Sequence, residues 1–233
     1  MKKNQEIIID RLNSSLDHKK IINFLNKNYK LVFYQVKKNE FINKKHFKKI
    51  IFKKKLFDKS IVFVAKIDEK IVGTISIYVD PISLPIEIEQ PVSLNPFRNQ
   101  KIKICEIGRY AIDINHRFNP LITLLLFMNV FDYCISKKIY CIVAQGFNHT
   151  LGMLHRFGMK NFYGNGVGFK DKEFGITCYP LYLDVKQKIE DILIRYHSQH
   201  FFTSQIDIKK FKKFILKYNC NKLISDIAEQ CKI

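Results

Sequence analysis

Two β-branched apolar runs, Ile61–Lys66 and Ile71–Val79, flank the short polar stretch Asp68-Glu69-Lys70. A connection that short joins two strands only as an antiparallel hairpin. All-helical folds and uniformly parallel sheets are thereby excluded. After the hairpin, Asp80–Gln100 carries Pro81, Pro85, Pro91 and Pro96. Proline fixes φ and removes an N–H donor, so this stretch reads as mostly loop. Beyond it, strands and helices alternate. Ile102–Ile114 reads as a strand, and Asn119–Lys137 as a strongly apolar helix with Pro120 in its first turn. Ile139–Ala144 follows as a strand and Asn148–Phe157 as a short helix that Gly158 terminates. Phe162–Phe169 is broken by glycines, and Tyr179–Val185 is a final strand.

Ahead of the hairpin, Asn13-Ser14-Ser15-Leu16-Asp17 has the hydroxyl caps and early acid of a helix start. Leu16, Ile21, Ile22 and Leu25 continue it at loosely helical spacing, and Leu31–Val36 reads as a strand. Phe41–Phe57 reads as a basic amphipathic helix, with Phe47, Ile50 and Ile51 on one face and Lys44, Lys45, Lys48, Lys49 and Lys53 on another. That lysine face is either solvated surface or a docking site for an acidic partner. From Lys186 to Ile233 the pattern is helical and basic. No internal repeat is visible. This order fits a mixed sheet with helices on both faces.

Hydrophobic residues make up 47% of the 233, enough for a core without metals or disulfides. Cys105, Cys134, Cys141, Cys178, Cys220 and Cys231 form no Cys-x-x-Cys pair and no zinc-like spacing with histidine. They read as reduced thiols of a cytoplasmic protein with no metal. No signal-peptide core follows Met1, and the apolar run Leu121–Phe131, interrupted by Asn129, falls short of the roughly 20 residues that span a bilayer. The formal net charge of +19 favours acidic partners: an acidic protein, an anionic membrane touched peripherally, or nucleic acid. An excess of lysine alongside isoleucine and asparagine would also supply part of this charge without any function. No helix-turn-helix, zinc-finger or aromatic RNA motif supports the nucleic-acid reading.

Several segments carry a family resemblance. Val72-Gly73-Thr74 in the hairpin is followed by Asp80 and Leu84-Pro85. Cys105-Glu106-Ile107-Gly108-Arg109-Tyr110-Ala111-Ile112-Asp113 resembles the Glu-x-x-Arg strand of acyl-homoserine lactone synthases and FeeM-like N-acyl amino acid synthases. Asn148-His149 and then Met153-Leu154-His155-Arg156-Phe157-Gly158-Met159 resemble a later segment of those families, and Tyr179–Asp184 resembles their last strand. Gly108 stands where a hydroxyl residue is usual, and Met153-Leu154 replaces a Phe-Tyr pair. The Asp-rich acceptor segment of the lactone synthases is not evident between Tyr34 and Phe57. The resemblance, over roughly Tyr29 to Lys186, implies an α/β (α+β) chain of the GNAT fold. Its mixed central sheet would have about seven strands flanked by helices. Residues 1–185 would be the acyltransferase domain and residues 186–233 a C-terminal helical extension.

The chemistry implied is transfer of a fatty acyl group from an acyl carrier protein thioester to an amine, with an amino acid as the expected acceptor. An acetyl-coenzyme A-dependent N-acetyltransferase is the alternative enzyme. Coenzyme A users of this fold hold the pyrophosphate on a glycine-rich turn at a helix N-terminus. Here that turn reads Ile114-Asn115-His116-Arg117-Phe118-Asn119-Pro120, without glycine. An acidic carrier protein brings its acyl-phosphopantetheine without a diphosphate and suits a basic enzyme. Glu106 is the candidate base and Arg109 the candidate anchor for an acceptor carboxylate or the phosphate arm. The alternative is that Glu106 and Arg109 pair structurally, which requires a bulge, because residues three apart on a regular strand face opposite sides. His149 is the third catalytic candidate, as a proton shuttle or pantetheine partner, unless it is a surface residue behind a capping Asn148. Backbone groups of Tyr110, Ala111, Ile112 and Asp113 would hold the pantetheine and the oxyanion, with Arg117 and Asn148 beside the arm. Leu121–Phe131 with Phe147, Phe162 and Phe169 would either line an acyl tunnel or be plain core.

Overall fold

In the computed structural model, which describes residues 6–12, 15–36, 60–81, 85–89, 91–164, 166–170 and 177–188, the hairpin is formed by β2 (Ile61–Ile67) and β3 (Lys70–Val79). Asp68 and Glu69 turn it with φ of 47° and 61°. Two left-handed residues match the twist of the strands they join, which is why the turn tolerates non-glycine residues there. An edge strand that the periodicity does not announce, β1 (Ile8–Leu12), pairs antiparallel with β2. Its Asp10 meets Lys66 at 2.6 Å, so the polar residues that hide its alternation also tie it to the sheet.

Helix α1 (Ser15–Val36) includes Leu31–Val36, which in isolation reads as a strand. No glycine or proline lies between Ser15 and Val36 to break the helix, and a short apolar run alone does not distinguish the two periods. The basic helix expected over Phe41–Phe57 lies outside the described residues, as does the expected extension apart from residues 186–188.

After β3 come a single 3-10 turn at Glu87–Glu89 and the short helix α2 (Asn95–Asn99). Then follow β4 (Ile104–Ile112), α3 (Pro120–Ser136), β5 (Cys141–Phe147) and α4 (Asn148–Arg156). The short strands β6 (Lys160–Asn161) and β7 (Phe169–Lys170) precede β8 (Thr177–Asp184). Among the described residues these make one eight-stranded sheet, ordered β1-β2-β3-β4-β5-β8-β6 with β7 on β8. Strands β4 and β5 run parallel and the other pairs antiparallel.

The two faces of the sheet are covered differently. On one, α3 lays Ile122, Leu126 and Val130 over Ile75, Ile77, Cys105 and Ile107. Gly73 admits this helix: a Cβ there would lie 2.9 Å from both Ile112 Cδ1 and Ile122 Cγ2. Gly73→Val is therefore expected to cost about 1–3 kcal/mol by overpacking. Urea unfolding would show it, and an unchanged midpoint would contradict it.

The other face carries two separate covers. Helix α1 places Ile21 and Leu25 over Val62, Val64 and Ala111. The proline-rich segment places Ile86, Ile88, Val92 and Leu94 over Ile104, Cys141 and Val143. That segment is clamped by Arg98, whose Nε and Nη2 donate to Asp80 at 2.8 and 2.9 Å while Nη1 and Nη2 donate to Glu89 at 2.6 and 2.8 Å. A seam runs between the two covers, over the middle of β4. Among the described residues no helix is long and apolar enough to cross a membrane.

Candidate active site

Strands β4 and β5 pair only from Ile104–Ile107 to Cys141–Ala144. Beyond that point β4 continues along β3 to Ile112, and β5 continues along β8 to Phe147. The two parallel strands therefore splay, and their facing backbone groups are left without a strand partner. Asp113 N–H is committed to Val72 C=O at 2.8 Å. Alternation along the ladder then turns the Ile112 amide away from β3 and into the splay. Of the backbone donors expected near Ala111–Asp113, the Asp113 amide is thus occupied and Ile112 is the one so directed.

A bulge in β4 brings Glu106 and Arg109 together. Ser76 pairs with Gly108 and Thr74 with Ala111, so Arg109 and Tyr110 share the place opposite Ile75. Arg109 adopts φ of 51°, and its carbonyl accepts from Thr74 Oγ1 at 3.0 Å. A left-handed arginine costs roughly 1–2 kcal/mol, and such strain tends to gather at functional sites. The consequence is visible in the core. Before the bulge, Cys105 and Ile107 face α3; after it, Tyr110 and Ile112 do, and Ala111 faces α1. Glu106 and Arg109 thus share the face on which the seam lies.

They do not pair directly; Glu87 stands between them. Glu106 is 8% exposed, and its Oε2 accepts from the Glu87 amide at 2.8 Å. Arg109 Nη2 donates to Glu87 Oε1 at 3.0 Å. Burial, and after it the charge of Glu87, pushes the Glu106 carboxyl up to about 8, against the opposing pull of the Ile88 and Glu87 amides and of Arg109. Tyr29 of α1 reaches the same place, its hydroxyl 3.4 Å from the Tyr110 carbonyl. Burial holds that phenol above its ordinary range, opposed by Arg109 and reinforced by Glu87. Neither Glu87 nor Tyr29 stands out in the sequence. The signal for Glu87 is the apolar–acidic alternation Ile86-Glu87-Ile88-Glu89 directly after Pro85.

The remaining candidates separate. The Tyr110 side chain turns to the α3 side, where its hydroxyl meets Thr123 Oγ1 at 2.7 Å, so its backbone alone faces the site. Ala111 and Ile112 are buried strand residues. Asp113 caps the next turn by accepting from the Asn115 amide at 3.0 Å. His149 is exposed at the start of α4 and stacks on Phe147 at 5.9 Å. Partial burial and then the charge of Arg117 lower its pKa, favouring the neutral ring. Val143 is the partner of Glu106, and Phe147 lies four residues on, about 13 Å along the strand. His149 therefore lies at the open end of the splay, within electrostatic reach of Arg117 and away from the carboxyl at its apex. Asn148 is exposed and does not cap α4; Thr150 Oγ1 accepts from the Phe147 amide at 3.0 Å instead. The proposed tunnel residues divide between clusters: Ile122, Leu125, Leu126, Phe127, Val130 and Phe131 form core on the α3 side, whereas Phe162 packs with Phe97 and Tyr182.

The sheet aligns with that of FeeM, an N-acyl amino acid synthase from uncultured soil microbes, at a TM-score of 0.62 and 15% identity, over 82% of this chain and 96% of that one. It also aligns with the CoA-dependent acyl-homoserine lactone synthase BjaI, solved with SAM and isopentyl-CoA, at 0.53 and 15%, over 82% and 89%. No curated protein matches the chain. The fold is that of the GNAT acyltransferases. The family model described as N-acyl amino acid synthase FeeM matches residues 27–159, more than half of the chain. The chain belongs to this family and is an N-acyltransferase.

Proposed function

We propose that the enzyme moves a fatty acyl group from the phosphopantetheine thioester of an acyl carrier protein to the amine of an amino acid. The observation that carries this reading is the buried Glu106 carboxyl at the apex of a splay between parallel strands. A pantetheine arm in the splay can use the unpaired backbone of β4 and β5 and deliver its thioester beside Glu106. The acceptor's ammonium first releases a proton to solvent; the neutral nitrogen then attacks the carbonyl carbon, the C–N bond forms and the C–S bond breaks. Glu106 takes the proton from nitrogen and returns it to the departing sulfur. A carboxyl held at about 8 suits both transfers, being close to a thiol's roughly 8.5. Arg109 holds the acceptor carboxylate, and the Ile112 amide, about 16 Å along the strand from Glu106, meets the arm rather than the reacting carbonyl.

The start of α3 supports the carrier over coenzyme A. Pro120 has no N–H, and the Leu121 amide already donates to Asn119 Oδ1 at 3.1 Å. Fewer free amides remain there for a pyrophosphate. In this reading His149 and Arg117, at the mouth, meet the arm rather than the reacting atoms. Supplying hexadecanoyl carrier protein and hexadecanoyl-coenzyme A with a panel of amino acids tests this. The carrier is expected to be preferred by at least about tenfold in kcat/KM, or 1.4 kcal/mol; transfer from acetyl-coenzyme A alone would sink the idea.

The free, buried Cys105, Cys134, Cys141 and Cys178 support a cytoplasmic location. The +19 charge supports an acidic carrier, with peripheral membrane contact as a secondary attraction. Residues 1–185 form the catalytic unit in this reading and residues 186–233 an appended helical extension. Limited trypsin digestion should leave a fragment ending near Val185; progressive loss of the whole chain would contradict that division.

A further inference from the structure

The two halves of the Glu87–Arg109 pair sit in unequal surroundings. The Glu87 side chain is 34% exposed and that of Arg109 13%. Arg109 commits Nη2 to Glu87, and its Nε is buried without a hydrogen-bond partner among the described residues. A guanidinium offers five N–H donors in a planar fork, so one kept from water with a donor unused is suited to a second anion. Glu87 is placed by its backbone, because its amide donates to Glu106 Oε2 at 2.8 Å. Its carboxylate, held by Arg109, lies close enough to Glu106 for its charge to act on that carboxyl.

A water-accessible anion, an enclosed cation and a buried carboxyl thus meet at one point on the seam. An α-amino acid presents the complementary pair, an ammonium and a carboxylate two bonds apart. We propose that Glu87 is a specificity residue that binds the ammonium of the acceptor while Arg109 takes its carboxylate, an inference that rests on the acyl-transfer reading above. Before binding, the two side chains satisfy each other. The acceptor exchanges that single contact for one on each of its own charges, and simple amines or carboxylates complete only half of the exchange. The ammonium also neutralises the nearest negative neighbour of Glu106. Glu106 then ionises more readily, so the acceptor's arrival helps to produce the base that deprotonates it.

The test compares wild type, Glu87→Gln and Arg109→Gln, with hexadecanoyl carrier protein or hexadecanoyl-coenzyme A as donor. Each proteinogenic L-amino acid and its methyl ester serve as acceptors. The ester keeps the ammonium and lacks the anionic carboxylate. Glu87→Gln is expected to raise KM about tenfold or more for both the best amino acid and its ester. Arg109→Gln should raise KM for the free acid and leave that of the ester within about twofold. Glu87→Asp should recover part of the loss, which a merely packing role would not predict. If wild type transfers and Glu87→Gln matches its KM for both acceptors, the ammonium assignment fails alone. A fall in kcat with KM unchanged overturns it too. If wild type transfers to no member of the panel, the acyl-transfer reading fails and takes this inference with it.

Discussion

Glu106→Gln is expected to lower acyl transfer by about 10²–10⁴-fold. The glutamine oxygen can still accept the Glu87 amide that Glu106 holds at 2.8 Å, so the variant should fold. In wild type, kcat/KM should rise with pH about tenfold per unit and level off near the Glu106 value of about 8. Burial sets this limb first, then the charge of Glu87, opposed by the amides of Ile88 and Glu87 and by Arg109. The same carboxyl leaves a mark on stability. Its folded pKa of about 8 lies above the ordinary 4.5, so between those values the folded state keeps a proton that the unfolded state has lost. Stability therefore falls as pH rises through that window and levels above it. Glu106→Gln should lack this decline and gain on wild type in Tm as pH is raised from 5 to 9. Activity within about threefold of wild type would remove Glu106 from the chemistry.

The second large effect is expected far from the reacting atoms. Arg98→Ala should destabilise by about 3–5 kcal/mol, because it takes the cation away from two enclosed carboxylates. Asp80 is 4% exposed and Glu89 14%, and Arg98 is the cation bridging them. Those hydrogen bonds also raise the Arg98 pKa, first through Asp80 and then Glu89. For a domain of this size the loss corresponds to a Tm drop of about 10 °C. Arg98→Lys should restore less than half, since an ammonium cannot grip two carboxylates with one planar fork. Activity should fall as well, because the clamped segment supplies the Glu87 amide to Glu106. A Tm within about 2 °C of wild type would show the clamp to be weakly coupled to the fold.

Sequence and structure agree where periodicity and breakers are unambiguous. The hairpin, β4, α3, β5, α4 and β8 are all readable from β-branched runs, Pro120 and Gly158, with ends that agree to within three residues. Strand β1 is hidden by Asp10 and Arg11. The end of α1 reads as a strand because a six-residue run with five apolar residues fits either period. The site is less legible. Glu106 is conspicuous as an acid within an apolar run, but alternation places Arg109 on the opposite face. What reverses this is the pairing of Thr74 with Ala111 and Ser76 with Gly108, a long-range relation that no local pattern expresses. Glu87 is hidden for a similar reason: four prolines announce a loop, and the Arg98 clamp and the burial of Ile86, Ile88, Val92 and Leu94, which fix that loop against the sheet, appear only in the structure.

The extra residue in β4 makes that strand sensitive to insertions and deletions rather than to the spelling of its residues. A Cβ at Gly108 would meet nothing within 4 Å, so a serine or threonine could stand there without harm. Removing Gly108 would erase the bulge and restore regular alternation, leaving Arg109 on the face of Glu106 but shifting its guanidinium by about 3.3 Å along the strand. Among relatives, the number of residues separating the acid from the arginine should therefore be held more tightly than their identities.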